Sequence, residues 1–322
     1  MSTRAHWPRT SAAALAAAAL VIVAACQPPR LPEPTVRLPE SVQVRVAGHI
    51  ETIGLDDYVL GSVLAEVTPL NQPPAAVARI YEVQAVLART YVVGHLGKHR
   101  AEGFDVCDST HCQLYDPSRI KTSRFAADAR DAVRRTSGLV LTYQGRLAEG
   151  LYHADCGGYT ASADEVWGGD PVPYLIAAPD KAADVQHRQW RWTVSMNDLR
   201  AALNTNPRAE VGRTLDRVDI VDHDPGGHAA RVAVIGEHMH ELRGEEFRTI
   251  VDQALGPKAI QSTLFTITRE KSGLIFTGAG FGHGVGLCQV GAAALARNGA
   301  ALDQILQHYF PGVMVKNAAV AH

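Results

Sequence analysis

Between Phe276 and Gly291 the chain reads FTGAGFGHGVGLCQVG, with glycine at 278, 280, 282, 284 and 286. Alternate positions without side chains cannot fill a core, but they let another backbone or a ligand approach closely. The polar side chains left projecting are His283, Cys288 and Gln289. A small helix-forming run, Ala292 to Arg297, follows and is closed by Gly299, so the segment reads as strand, glycine turn and helix, the floor of a site. It is not a phosphate loop: no Gly-Lys-Ser or Gly-Lys-Thr is present. An exported chain, argued next, would also meet no nucleotide pool.

Residues 1–25 carry Arg4 and Arg9 and then an alanine-rich apolar run, the pattern of a secretory signal peptide. It ends Val23-Ala24-Ala25-Cys26, which resembles the bacterial lipobox and implies cleavage before Cys26 and lipidation there. The alternative is an ordinary signal peptide with an incidental cysteine. Residues 26–41 hold prolines at 28, 29, 32, 34 and 39 and read as an extended tether. The expected location is the cell envelope, on a lipid anchor facing the periplasm or wall, and on the outer membrane if the cell has two. With 31 Lys+Arg against 33 Asp+Glu, nothing marks a polyanion partner, so no nucleic acid is expected.

The remaining residues mix helical and alternating patterns without regular strand-helix repetition, which argues for an α+β fold. A strand is expected at Val42–Val46 and a helix from Leu55 through Glu66, with Asp56 and Asp57 available to cap it. A longer helix should run from Pro73-Pro74 to about His99, and another from Arg124 to Arg135. Hairpins are expected at Leu139–Tyr143 with Leu147–Tyr152, and at Val218–Val221 with Ala230–Ile235. Helices are expected at Asn197–Leu203, opened by Ser195 and Asp198, at Glu245–Leu255 and at Leu302–Phe310, with strands at Leu264–Thr268 and Leu274–Thr277.

Several stretches match one family in order: LDDYVLGSVLAEV, EVQAVLARTYVV, DVCDSTHCQLY, GLVLTYQG, LYHADCGGYTASADEVWGG, FTGAGFGHGVGLCQVGAAALARNG and ILQHYFPG. On these motifs the chain resembles the stage II sporulation protein D and LytB family over about residues 42–315. The resemblance implies one elongated, two-lobed catalytic unit around a central cleft, with a conserved part at 50–178, a middle lobe at 179–262 and a cleft part at 263–315. It implies a lytic transglycosylase that cuts peptidoglycan glycan strands already stripped of stem peptides. A second branch implies the alternative, a non-catalytic glycan binder that stimulates a cell-wall amidase.

Glu66 falls where the family's catalytic glutamate lies. A glutamate among apolar neighbours holds its proton longer and can act as general acid. One carboxyl group suffices if the substrate's own 6-hydroxyl is the nucleophile. By composition alone Glu66 ends a surface helix. Arg89 is a candidate groove residue or an internal partner of Glu82, seven residues earlier. Gln84 and Tyr91 line a sugar groove or pack as core. His153, His283 and Gln289 match cleft motifs and are candidates for hydrogen bonds to sugar; Trp167 is either a stacking platform or a core residue.

His99, Cys107, His111 and Cys112 have the ligand types for zinc, which the resemblance also implies; the alternative is a Cys107–Cys112 disulfide. The chemistry itself needs no cofactor, and a zinc-dependent hydrolase is a third reading. In many relatives the motifs read Ser-Gly-Gly and Met-Ser-Gln where this chain has Cys156-Gly157-Gly158 and Leu287-Cys288-Gln289. Both positions belong to cleft motifs, and a Cys156–Cys288 disulfide is expected.

Overall fold

A computed structural model describes residues 36–182 and 185–320. The signal peptide, Cys26 and most of the tether lie outside them. Strand Ser41–Val46 pairs antiparallel with His49–Gly54 and parallel with the short strand Val106–Cys107. That second pairing lays Cys107 beside Arg45.

Helix α1 (Leu55–Glu66) leaves the strand directly at Gly54. Asp56 and Asp57 sit in its first turn, where they favour the helix dipole, but no side chain caps it. Eight of its 12 residues are buried, so it has no wet face and packs from all sides. Helix α2 (Pro74–Gly94) starts with proline in its first turn and runs 21 residues, ending five residues short of His99. Helices α3 (Arg119–Thr122) and α4 (Ala126–Arg135) close over α1 and α2. Tyr58, Val63, Tyr81, Ala88 and Val92 fill this first core. Each large side chain buried there contributes about 1.5–3 kcal/mol.

Strand Leu139–Tyr143 turns at Gln144-Gly145 and pairs with Arg146–Leu147 and with Met314–Asn317. The expected second arm stops there. Tyr152–His153 instead pairs parallel with Leu287–Cys288, past the glycine turn. Helix α5 (Ala163–Trp167) follows. A second core, holding Leu87, Leu141, Val285, Leu287, Ile305 and Phe310, joins these pieces to α2.

A third core gathers strands Gln189–Val194, Phe265–Glu270 and Gly273–Ala279 in one antiparallel sheet, and Leu215–His223, Ala229–Gly236 and Met239–Arg243 in another. Helices α6 (Met196–Leu203) and α7 (Gly244–Leu255) cover them. Ser195 caps α6 by accepting from the Asp198 amide at 3.0 Å. Phe276 packs against Phe265 and Phe247 with ring centres 5.5 and 6.0 Å away. This core runs on past residue 262 through Phe276.

Helices α8 (Gln289–Arg297) and α9 (Leu302–Tyr309) complete the chain's mixed α+β architecture. The described residues form one compact unit, and none of their helices is long and apolar enough to cross a membrane.

Candidate active site

The glycine turn faces its own chain. At Gly280 (φ +88°) a Cβ would lie 2.7 Å from the Asp155 carbonyl oxygen, and at Gly286 (φ +74°) it would strike that of Leu151. Residues 151–157 can therefore lie against the turn only because side chains are absent there. The strand pair that results sets Ala154, Leu287 and Gln289 in one wall of a groove of about 290 Å³. Glu66 and Gln84, from α1 and α2, belong to the same lining.

Glu66 is half-buried at the last position of α1, and its Oε1 accepts a 2.9 Å hydrogen bond from the Leu114 amide. Burial raises its pKa above the ordinary glutamate value, and the Leu114 amide and the Tyr152 phenol offset only part of that rise. Tyr58 and Tyr91 also lie in its field, and burial first of all holds both phenols protonated. Gln289 Nε2 reaches Gln84 Oε1 at 3.4 Å, while the Gln84 side-chain nitrogen has no partner. Leu70 and Val290 expose apolar surface on the rim. The site thus combines a proton-holding carboxyl group, the Gln289 amide with the buried Gln84 packed as core behind it, and apolar edges.

Four expected groove residues turn inward instead. Arg89 is 0% exposed, pairs with Asp56 at 3.0 Å, and donates to the carbonyls of Thr136 and Leu139. It is a structural tie, and Glu82 pairs with Arg79 and Arg135 rather than with it. Tyr91 is buried and stacks on His95, with ring centres 4.0 Å apart. His153 is buried, its Nδ1–H donating to the Val285 carbonyl at 3.1 Å. His283 spends both ring nitrogens internally: Nε2–H donates to the Tyr152 carbonyl and Nδ1 accepts from the Val285 amide. Burial lowers its pKa to about 4, so it is a neutral prop. Its ring lies 5.1 Å from Trp167, which is 46% exposed and stands outside the groove lining. Trp167 is a surface aromatic, not core.

The ligand atoms of His99, Cys107, His111 and Cys112 lie within 4.8 Å of one another. His99 Nδ1 is held by Glu102 at 2.7 Å, which turns Nε2 toward Cys112 Sγ, 3.3 Å away. A carboxylate behind a histidine is the support a metal ligand ordinarily has. Two thiols and two imidazoles fit a closed tetrahedral zinc site, and Leu114, whose amide holds Glu66, lies two residues beyond Cys112. All four cysteines of the described residues are free thiols in this structure, the expected Cys156–Cys288 pair included.

A larger hollow of about 450 Å³, lined by Glu40, Asp56, Asp57, Ser137 and Asn317 among others, holds none of the expected site residues. Sequence reasoning missed Tyr152 and the Leu114 amide. Tyr152 carries a usable signal, since it directly precedes His153 in a cleft motif; a backbone amide carries none.

A family model described as stage II sporulation protein matches residues 45–143, and a domain of unknown function matches 183–286. The stage II sporulation protein D of Bacillus amyloliquefaciens is 30% identical over 89% of this chain and 82% of its own length. An uncharacterized protein of Brachyspira hyodysenteriae is 30% identical over 82% of the chain and 67% of its own. An amidase enhancer of Bacillus subtilis is 26% identical over 77% of the chain, which spans 39% of that protein.

Proposed function

The chain belongs to the stage II sporulation protein D family, and from that premise we propose that it is a peptidoglycan lytic transglycosylase of the cell envelope, with Glu66 as both acid and base. The observation that carries this reading is a single carboxyl group, its pKa raised by burial, in a groove whose other polar side chains include the amides of Gln84 and Gln289. Glu66 donates its proton to the bridging glycosidic oxygen, and the C1–O bond breaks. The carboxylate then takes the proton of the sugar's own 6-hydroxyl, whose oxygen closes onto C1 as an anhydro ring. No water is consumed, so no second carboxylate is needed to activate one. Gln289, steadied by Gln84, holds sugar hydroxyls or N-acetyl groups, and Trp167 extends the binding surface. Strands stripped of stem peptides are the substrate that the family resemblance implies.

His99, Cys107, His111 and Cys112 would hold a structural zinc ion. Bound there, it would supply no reacting position; it would stiffen the loop whose Leu114 amide fixes Glu66. Lipidation at Cys26 would anchor the protein to a membrane. A second reading, a glycan binder that stimulates a cell-wall amidase, draws on the likeness to the amidase enhancer.

The test is mass spectrometry of the products released by purified protein from intact and amidase-treated peptidoglycan. Anhydro-ended products are expected, more from the treated wall. Glycan binding without products would move the assignment to the amidase stimulator, and reducing-end products would replace it with a hydrolase.

A further inference from the structure

Behind the groove wall two thiols meet. Cys156 and Cys288 are 1% and 0% exposed, and their sulfurs lie within 4.8 Å of each other and of a His153 ring nitrogen. The Cys156 amide donates to Cys288 Sγ at 3.3 Å, and the Gly158 amide to Cys156 Sγ at 3.4 Å. Cys156 Sγ–H donates to Asp180 Oδ2 at 3.3 Å. His153 Nδ1–H is spent on the Val285 carbonyl, and its Nε2 has no hydrogen-bond partner. Two sulfurs held this close by backbone amides are placed to close a disulfide.

We propose that Cys156 and Cys288 form a structural disulfide that ties the chain after Tyr152–His153 to the strand leaving the glycine turn, locking the rear wall of the groove. The two thiols give up two protons and two electrons as the S–S bond forms. A disulfide-bearing oxidant accepts them, and its own S–S bond opens to two thiols.

Two other uses of the cluster fit less well. A closed metal site needs four donors, and three converge here, His153, Cys156 and Cys288; Asp155 and His187, also near the Cys156 sulfur, are bonded to each other at 2.7 Å. Asp180, the nearest further candidate, is already engaged by the Tyr309 hydroxyl, His308 and the Ala182 amide. A nucleophile would have to meet substrate, and neither sulfur is reached from solvent. The crosslink stands on geometry independent of the transglycosylase reading. Only its effect on the groove, through Ala154, Leu287 and Gln289, rests on that reading.

The test uses the full chain exported from cells, purified without reductant, then alkylated in denaturant and digested. A peptide pair joined through Cys156 and Cys288, two hydrogens lighter than its separate parts, is expected. Because the bond spans 132 residues of chain, reductant should lower the Tm by about 10 °C. The double variant Cys156→Ser/Cys288→Ser should start lower and ignore reductant. Full alkylation of both cysteines after treatment with oxidised glutathione, a Tm unmoved by reductant, or a zinc equivalent lost with the double variant would each overturn the proposal.

Discussion

The two cysteine pairs differ in donor number and access, and the difference assigns them different chemistry. Around Cys107 and Cys112 two histidines complete a set of four, one of them exposed and one backed by Glu102. Around Cys156 and Cys288 a single histidine joins, and all three residues are buried. The first set can take an ion from solvent; the second is closed to solvent and suits a crosslink made as the chain folds. Each touches the groove from a different side. The first reaches Glu66 through the Leu114 amide, and the second adjoins Leu287 and Gln289 of the groove lining through Cys288.

The sharpest way to break this contrast is to empty the first set. Cys107→Ser, or chelation of the wild type, should lower glycan release about 10–100-fold while the protein stays folded by circular dichroism. The double serine variant at 156 and 288 should lose stability rather than release. Equal losses of release in both variants would erase the distinction.

Asp180 sharpens the second region. In the reduced protein burial alone would raise its pKa, but hydrogen bonds from His308, the Ala182 amide and the Cys156 thiol bring it down to about 2. A lowered pKa means stability that is present above the ordinary aspartate value of about 4 and is lost as pH falls from there through about 2. Asp180→Asn should remove about 2 kcal/mol from the reduced protein at pH 7 and flatten acid unfolding in that window, measured by denaturant titration with reductant at each pH. Glu66 has the opposite sign. Its raised pKa favours the folded state below the ordinary glutamate range, and that contribution is lost as pH rises through the shifted value. Glycan release should fall over the same rise, and Glu66→Gln should remove the stability trend. The smallest effect belongs to Trp167→Ala, which should weaken glycan binding about 5-fold, roughly 1 kcal/mol, without moving the Tm.

Much of this could be read from the chain where local chemistry decides. The Ser195 cap on α6, the Pro74 start of α2 and the turn at Gln144-Gly145 all appear where residue types demand them. The glycine stretch also announced a close approach, although what approaches is residues 151–157 of the same chain. What stayed hidden depends on partners far away in sequence. Arg89 shares a helix with Glu82, yet meets Asp56 from α1, 33 residues away. His283 looked free for sugar, but a carbonyl 131 residues distant uses its Nε2–H. Tyr152 read as the end of a hairpin, and its parallel pairing with Leu287 follows from packing that no local pattern encodes.

The claim that Glu66 serves as acid and base without water is tested most directly by digesting peptidoglycan in heavy-oxygen water and weighing the new chain ends. Wild type should release anhydro ends that carry no heavy oxygen, and Glu66→Gln should release none. Heavy oxygen at reducing ends, or undiminished release by Glu66→Gln, would contradict it.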